Sequence, residues 1–232
     1  MQNRQNYAQD LQLSSRGFGA RSTFGVRGIK LFADGIPASM PDGQGQVSHF
    51  ALNSADHIEV LRGPFAMSYG NAAGGVIQIF TEDGGPDTAV TGGSAVGSRA
   101  TSRTSAKVSG QTVNLSYVAE GSHFETDGWR TQSAVQRDAA NAKLKWRTEG
   151  GTRFTFVGNW MDVPNAQDAL GLSRADYSAD PNATTPTALQ FDTRKNLAQG
   201  QGGMAVEHDI ADGQRDADAQ RAGVSSEWTD RA

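Results

Sequence analysis

Four histidines, His49, His57, His123 and His208, are the side chains of this sequence best suited to bind a metal or move a proton. A metal site needs three or four donors converging from closely paired positions. These four lie on separate segments with no such pairing, so each reads as a satisfied or solvated imidazole and no metal is expected. The sequence has no cysteine, which removes thiolate ligands, disulfides and cysteine nucleophiles. No G-x-S-x-G nucleophile turn occurs. Glu82 and Asp83 form a carboxylate pair, but they sit in the linker-like TEDGGPD, where solvation is the default. GNAAGG and GFGARS have neither the spacing nor the following helix of a phosphate-binding loop. The expectation is a protein without catalysis and without a cofactor.

The remaining chemistry is that of a binding scaffold. Ile58 to Phe80 reads IEVLRGPFAMSYGNAAGGVIQIF, two apolar segments separated by a turn rich in Gly, Asn and Ala, with Gly63-Pro64 closing one end and Gly74-Gly75 the other. Such punctuation rules out a helix and gives strand, loop, strand. A formal charge of −4 with interspersed acids and bases offers no basic stripe, so nucleic acid is not an expected partner. No run reaches the roughly 18 apolar residues of a membrane helix, and MQNRQNYAQDLQLSS lacks the apolar core of a signal peptide. A β-barrel escapes both tests, because its strands alternate and a hydropathy average hides them. The 28 glycines suit such a barrel and suit a soluble β-rich protein equally.

Two regions differ in pattern. Residues 1–83 hold short, mostly apolar strand candidates, LQLSS at 11–15, IKLFA at 29–33, IEVL at 58–61 and VIQIF at 76–80, with a tight turn at Asp34-Gly35 and a short helical turn at 54–57. They predict a small mixed sheet. Residues 84–232 change to strict alternation. In NAKLKWR, Ala142, Leu144 and Trp146 share one face while Asn141, Lys143, Lys145 and Arg147 share the other. VNLSYVAE and TRFTFVGNW split in the same way, with weaker versions at 90–96, 103–110, 203–210 and 221–229, about seven strands in all. Connections at 111–112 and 149–151 are tight, whereas 125–138 and 164–196 are long and polar. Long loops at one end and tight turns at the other characterise outer-membrane barrels. Trp146 and Phe154 beside one short turn, with Trp160 and Phe124 near long loops, fit two interfacial aromatic girdles.

The segments SSRGFGARSTFGVRGIKLFADGIPASMPDGQGQV and ADHIEVLRGPFAMSYGNAAGGVIQIFTED together resemble the TonB-dependent outer-membrane receptors of Gram-negative bacteria. RGFG, the DG-I-P turn, I-E-V-L-R-G-P and Y-G-N-x-x-G-G-V-I occur in that family's order and cover about the first third of the chain. The resemblance implies a mainly β protein: the second half of a plug, a small mixed sheet over 1–83, followed over 84–232 by the first strands of an antiparallel, incomplete barrel. It further implies binding and import of a scarce nutrient chelate, a ferric siderophore above all. The drive would come from an inner-membrane TonB complex acting through a segment absent here, with outer-membrane lipid around the wall.

The family's plug loops that face outward touch the ligand, which here singles out 19–26 and 38–50. Arg21 is the candidate for an anionic chelate, Phe24 and Met40 for apolar contact, and Gln44 and Gln46 for hydrogen bonds. The long loop at 164–196 is placed to close over the ligand. The arginine of the R-G-P segment is associated in the family with a plug–barrel lock, a role carried to Arg62 with Glu59 as neighbouring partner. Gly63, Gly70, Gly74 and Gly75 are expected to let the plug backbone turn tightly and lie close to the wall. Barrels of this kind have 22 strands, so the chain is expected to be a fragment. A passive porin or adhesin barrel and a soluble β-rich binding protein are the alternatives.

Overall fold

The computed structural model describes residues 6–8, 11–22, 25–40, 43–63, 68–70 and 72–208, and the backbone of 227–229. The smaller of its two β-layers contains β1 (Val26–Arg27) paired with β4 (Gln44–Gly45), and a four-stranded sheet of β2 (Lys30–Ala33), β3 (Ile36–Pro37), β5 (Ala55–Leu61) and β6 (Val76–Thr81). Its order is β3-β2-β6-β5, with β2 and β6 parallel and the outer pairs antiparallel, so the sheet is mixed. Asp34 and Gly35 join β2 to β3 with φ of 49° and 78°, the doubly left-handed turn whose twist matches a hairpin. Val26, Ile29, Leu31, Ala33, Phe50 and Ile79 form one core cluster, and Phe32, Ala72 and Val76 form another. Leu31 is fully buried, and its truncation to Ala would cost about 2–5 kcal/mol.

Three expectations need correction here. Leu11–Ser15 is not a continuous strand: it carries only isolated bridges, at Gln12 and at Ser15, the latter paired with Phe18, and Leu13 packs on the first core cluster. The helical turn lies upstream, as a 3₁₀ turn at Leu52–Ser54, because Ala55 already pairs with Thr81 in the sheet. The glycines of 63–75 do not approach the described wall strands. Gly75, at φ +118°, lies so near β5 that a Cβ would stand 2.7 Å from the Leu61 carbonyl oxygen, and Gly74 crowds the Gly28 carbonyl and Phe18.

The larger layer is antiparallel and runs in chain order: β7 (Ala89–Val96), β8 (Ser102–Gln111), β9 (Leu115–Thr126), β10 (Val135–Arg147), β11 (Thr152–Gln167), β12 (Arg194–His208) and β13 (Glu227–Thr229). Most of the expected strand at 221–229 lies outside the described residues. Several strands outrun expectation. β11 continues past a register shift between Val163 and Ala166, and β12 starts at Arg194, within the segment read as loop. The loop that remains, 168–193, carries α1 (Arg174–Ala179) and α2 (Pro186–Gln190). It is tied to the neighbouring loop by Arg130, whose guanidinium donates to the carbonyls of Ala169, Leu170 and Ala183 at 2.9, 2.7 and 2.6 Å.

Leu144, Trp146, Phe156 and Trp160 are exposed on the outward face, while Asn141 and Lys143 are buried on the inward one. Trp146 stacks on Phe154 at 5.4 Å beside the tight turn. Phe124 belongs to no outer girdle: it shares the parity of Ser116 and Glu120, points inward, and packs on Tyr7 at 5.6 Å. Trp160 faces outward but pairs with Ala140 and Gly200, away from the long loops. Among the described residues no helix is long and apolar enough to cross a membrane, which says nothing about strands.

Candidate functional site

Strand pairing sets the inward side chains of the large sheet in rows, and the small layer docks on them row by row. Nearest the tight turns, Lys145 and Lys143 both reach Asp83, at 2.6 and 2.8 Å, and Lys143 also reaches Asp34 at 3.1 Å. Lys143 donates in addition to the Thr81 carbonyl, and Asp34 accepts from the Thr81 amide and hydroxyl. Burial works against the Asp83 carboxylate, but the hydrogen bonds and charges of Lys143 and Lys145 outweigh it and hold the carboxyl below its ordinary value.

The next row crosses five strands and is polar throughout: Lys107, Glu120, Asn141, Asn159 and Gln201. Lys107 pairs with Glu82 at 2.5 Å, Asn141 donates to the Ser54 hydroxyl at 2.8 Å, and Gln201 donates to the Pro37 carbonyl at 3.0 Å. Asn53 bridges two rows, donating to Glu120 at 2.5 Å and accepting from Arg103 at 2.6 Å. Gly203 supplies a close approach, since a Cβ there would stand 2.6 Å from Ile36 Cδ1.

Above this row the layers part around a cavity of about 740 Å³. Its inner wall is the turn Val47–Asn53 with Tyr7, and its outer wall includes Arg103, Phe124 and Arg137. An apolar patch of Ala8, Val135, Met161, Val163 and Ala166 joins the two layers at this level. His49 is buried in the inner wall with neither ring nitrogen hydrogen-bonded among the described residues. Burial lowers it from 6.5 to about 4, opposed by Gln201 and reinforced by the charge of Arg137. The other histidines go their own ways: His57 stacks on Phe80 at 4.6 Å beside Asp56, His123 meets Asp138 at 2.6 Å, and His208 meets Thr152 at 2.9 Å. Among the described residues no group of three or more His, Asp or Glu is placed to hold a metal.

The residues singled out from sequence lie elsewhere. Arg21 is exposed, Met40 is half-buried in the turn it closes with Gln44, and the Gln44 side chain accepts from Arg27 at 2.7 Å. Gln46 is buried, and Phe24 lies outside the described residues. None of Arg21, Met40, Gln44 and Gln46 lines the cavity, which the 38–50 loop reaches through Val47 to Phe50. Arg62 is exposed at the end of β5, and Glu59 is exposed within that strand, 3.7 Å from His57. Arg62 and Glu59 make no ion pair with each other. Sequence reasoning missed Asp34 and Asp83 as anchors, although the inward parity of Lys143 and Lys145 pointed to a need for carboxylates opposite them.

A mixed sheet seated on the polar face of an antiparallel wall whose other face is oily matches a known arrangement. The family model described as the TonB-dependent receptor plug domain matches residues 1–76. That match covers about the first third of the chain. The ferric enterobactin receptor of Pseudomonas aeruginosa is 33% identical over 137 residues, covering 50% of this chain and 17% of that protein. The siderophore receptor PirA from Acinetobacter baumannii superposes with a TM-score of 0.62 at 21% identity, over 86% of this chain and 32% of that one. PirA from Pseudomonas aeruginosa gives 0.57 at 21% identity, over 90% and 34%. At that identity the likeness establishes the fold alone, a small mixed sheet seated against antiparallel wall strands. The chain spans about a third of these solved chains and about a sixth of the curated relative. These relatives are receptors and not enzymes.

Proposed function

We propose that the chain supplies the plug and the adjoining wall strands, with the division near residue 83, of an outer-membrane receptor that binds and imports a ferric siderophore or similar chelate. The observation that carries this reading is the placement of the plug on the wet face of the wall. Lys143, Lys145 and Lys107 hold it there through Asp34, Asp83 and Glu82, while Leu144, Trp146 and Phe156 face away. A soluble sandwich reverses these faces, and a porin has no plug to dock. The cavity between plug and wall is the chamber where a chelate is met, beside the loops 19–26 and 38–50. Arg62 and Glu59, exposed on the plug, serve as a lock toward the wall. Energy comes from a TonB-type complex, and lipid surrounds the outward face.

The test is uptake of radioactive iron chelates by iron-starved cells that express the receptor. Saturable uptake abolished by a protonophore is expected. Non-saturable entry that survives the protonophore would assign the protein to passive diffusion instead.

A further inference from the structure

We infer that Asp168 is a joint through which the seating of the plug sets the order of the two long loops. Three consecutive plug residues stand at the feet of those loops. Asn6 Nδ2 donates to Asp168 Oδ1 at 2.5 Å, Tyr7 packs on Phe124, and Ala8 is buried against Val135, Met161, Val163 and Ala166. Val135 opens β10 where the loop 127–134 ends, Ala166 stands next to the last residue of β11 before the loop 168–193, and the two are paired in register. The Asn6 side-chain oxygen accepts from the Ala8 amide at 3.0 Å, so this one carboxamide is fixed at both of its ends.

Asp168 is buried. The carboxylate oxygen that meets Asn6 also accepts from the Leu170 amide at 2.9 Å, an Asx turn at the start of the loop. The Asp168 backbone closes the neck of the loop: its amide donates to the Thr193 carbonyl at 2.8 Å, and its carbonyl accepts from the Thr193 hydroxyl at 2.6 Å. Leu170, Gln132 and Asp192 have φ of 55°, 60° and 47°, left-handed conformations that side chains avoid unless their surroundings hold them. Here the holding is shared between the loops. The Leu170 carbonyl accepts from Arg130, and Gln132 donates to Asp192 at 2.5 Å. Hydrogen bonds thus run unbroken from Asn6 through Asp168 and Leu170 to Arg130. When residues 6–8 leave the wall, the carboxylate loses its charge-assisted donor and turns to water, and Leu170 relaxes out of its left-handed conformation. The coupling is reciprocal, so whatever fixes the loops also strengthens the seat of the plug. In the import reading, on which this role rests, displacement of the plug loosens the mouth of the receptor.

The test is amide hydrogen exchange at neutral pH in the detergent-solubilised protein, with no chelate added. Asn6→Asp keeps the acceptor for Ala8, removes the donor to Asp168 and sets two carboxylates together. It is expected to raise exchange of the bonded amides of Leu170, Ala188 and Thr193 by about tenfold or more, and to leave β2 and β6 as they were. Adding Asp168→Asn rebuilds the donor–acceptor pair in the opposite sense and still accepts from Leu170, so protection is expected to return. Arg130→Gln, at the far end, is expected to raise exchange in the loops and also at the Ala8 amide. Unchanged loop exchange in Asn6→Asp, no recovery on adding Asp168→Asn, or an Ala8 amide indifferent to Arg130→Gln would each overturn the joint. So would a rise shared by β2 and β6, which marks general loosening of the fold. Iron-chelate uptake separates the two readings: if exchange behaves as expected while cells take up no chelate, the joint stands and the import reading falls.

Discussion

Lys143 of the wall and Asp34 of the plug meet at 3.1 Å, and both side chains are at least nine-tenths withdrawn from solvent. The pair fastens a hairpin turn of one layer to the middle strand of the other. Its removal on one side only leaves a buried charge without its counterpart, which costs about 3–5 kcal/mol. Lys143→Met is therefore expected to loosen the plug, read as lost amide-exchange protection in β2 and β6. Adding Asp34→Asn to it restores part of the protection. Equal exchange in the single and double variants would remove the pair as an anchor.

His49 gives the plug a pH dependence of definite sign. In the unfolded chain its imidazole takes a proton below 6.5, while in the folded plug it resists until about 4. The folded state thus binds fewer protons across that window, and stability falls as pH drops from 6.5 to 4 and then levels. The loss amounts to about 3 kcal/mol. Denaturant titrations across this range should show it, and His49→Gln should flatten it. An unchanged slope in that variant would place the pH dependence elsewhere.

Gly203 tests the seating of β3 on β12. A methyl group there collides with Ile36, itself buried. Gly203→Ala is expected to cost the docked plug about 1–3 kcal/mol by overpacking, and Ile36→Val to return part of it. Thermal release of the plug, followed by proteolysis, distinguishes this from a harmless change.

Leu144 tests the outward face. Leu144→Arg puts a charge where lipid is expected and should cost about 2–4 kcal/mol if the residue sits near mid-bilayer. Lys145→Leu, one residue along and on the inward face, should weaken the Asp83 contact but spare insertion. Urea titration of folding into phosphatidylcholine vesicles measures both. Equal effects of the two would mean that the face assignment is wrong.

Strand parity in NAKLKWR and TRFTFVGNW was legible because large apolar side chains alternate with charged ones, and the structure places the two sets on opposite faces. The start of β12 was hidden for the opposite reason. Its outward positions Ala198, Gly200 and Gly202 are small and its inward positions Gln199 and Gln201 are polar, so no contrast marks the period. Leu11 and Leu13 alternate like a strand but find no partner strand among the described residues, and periodicity carries no information about pairing. The anchors Asp34 and Asp83 were read as turn and linker because their lysines lie far away in sequence. The alignment of Arg103, Phe124 and Arg137 in one row of the cavity's outer wall depends on register across three strands, which no local pattern encodes.

The polar row at mid-height has a mechanical meaning. Asn159 Nδ2, Gln199 Oε1, Gln201 Oε1 and Glu120 Oε2 are buried along the seam with no protein partner among the described residues. Groups in that condition trade partners with water at little net cost. Along this seam they alternate with fixed contacts, Lys107 to Glu82, Asn141 to Ser54 and Gln201 to Pro37, so the plug is held at spaced points with exchangeable groups between them. The joint between plug and wall is then pinned at several points, most firmly by the lysine contacts near the tight turns. A pull on the plug would have to free these ion pairs and hydrogen bonds in turn, and the unpartnered groups between them could take new partners as it moved.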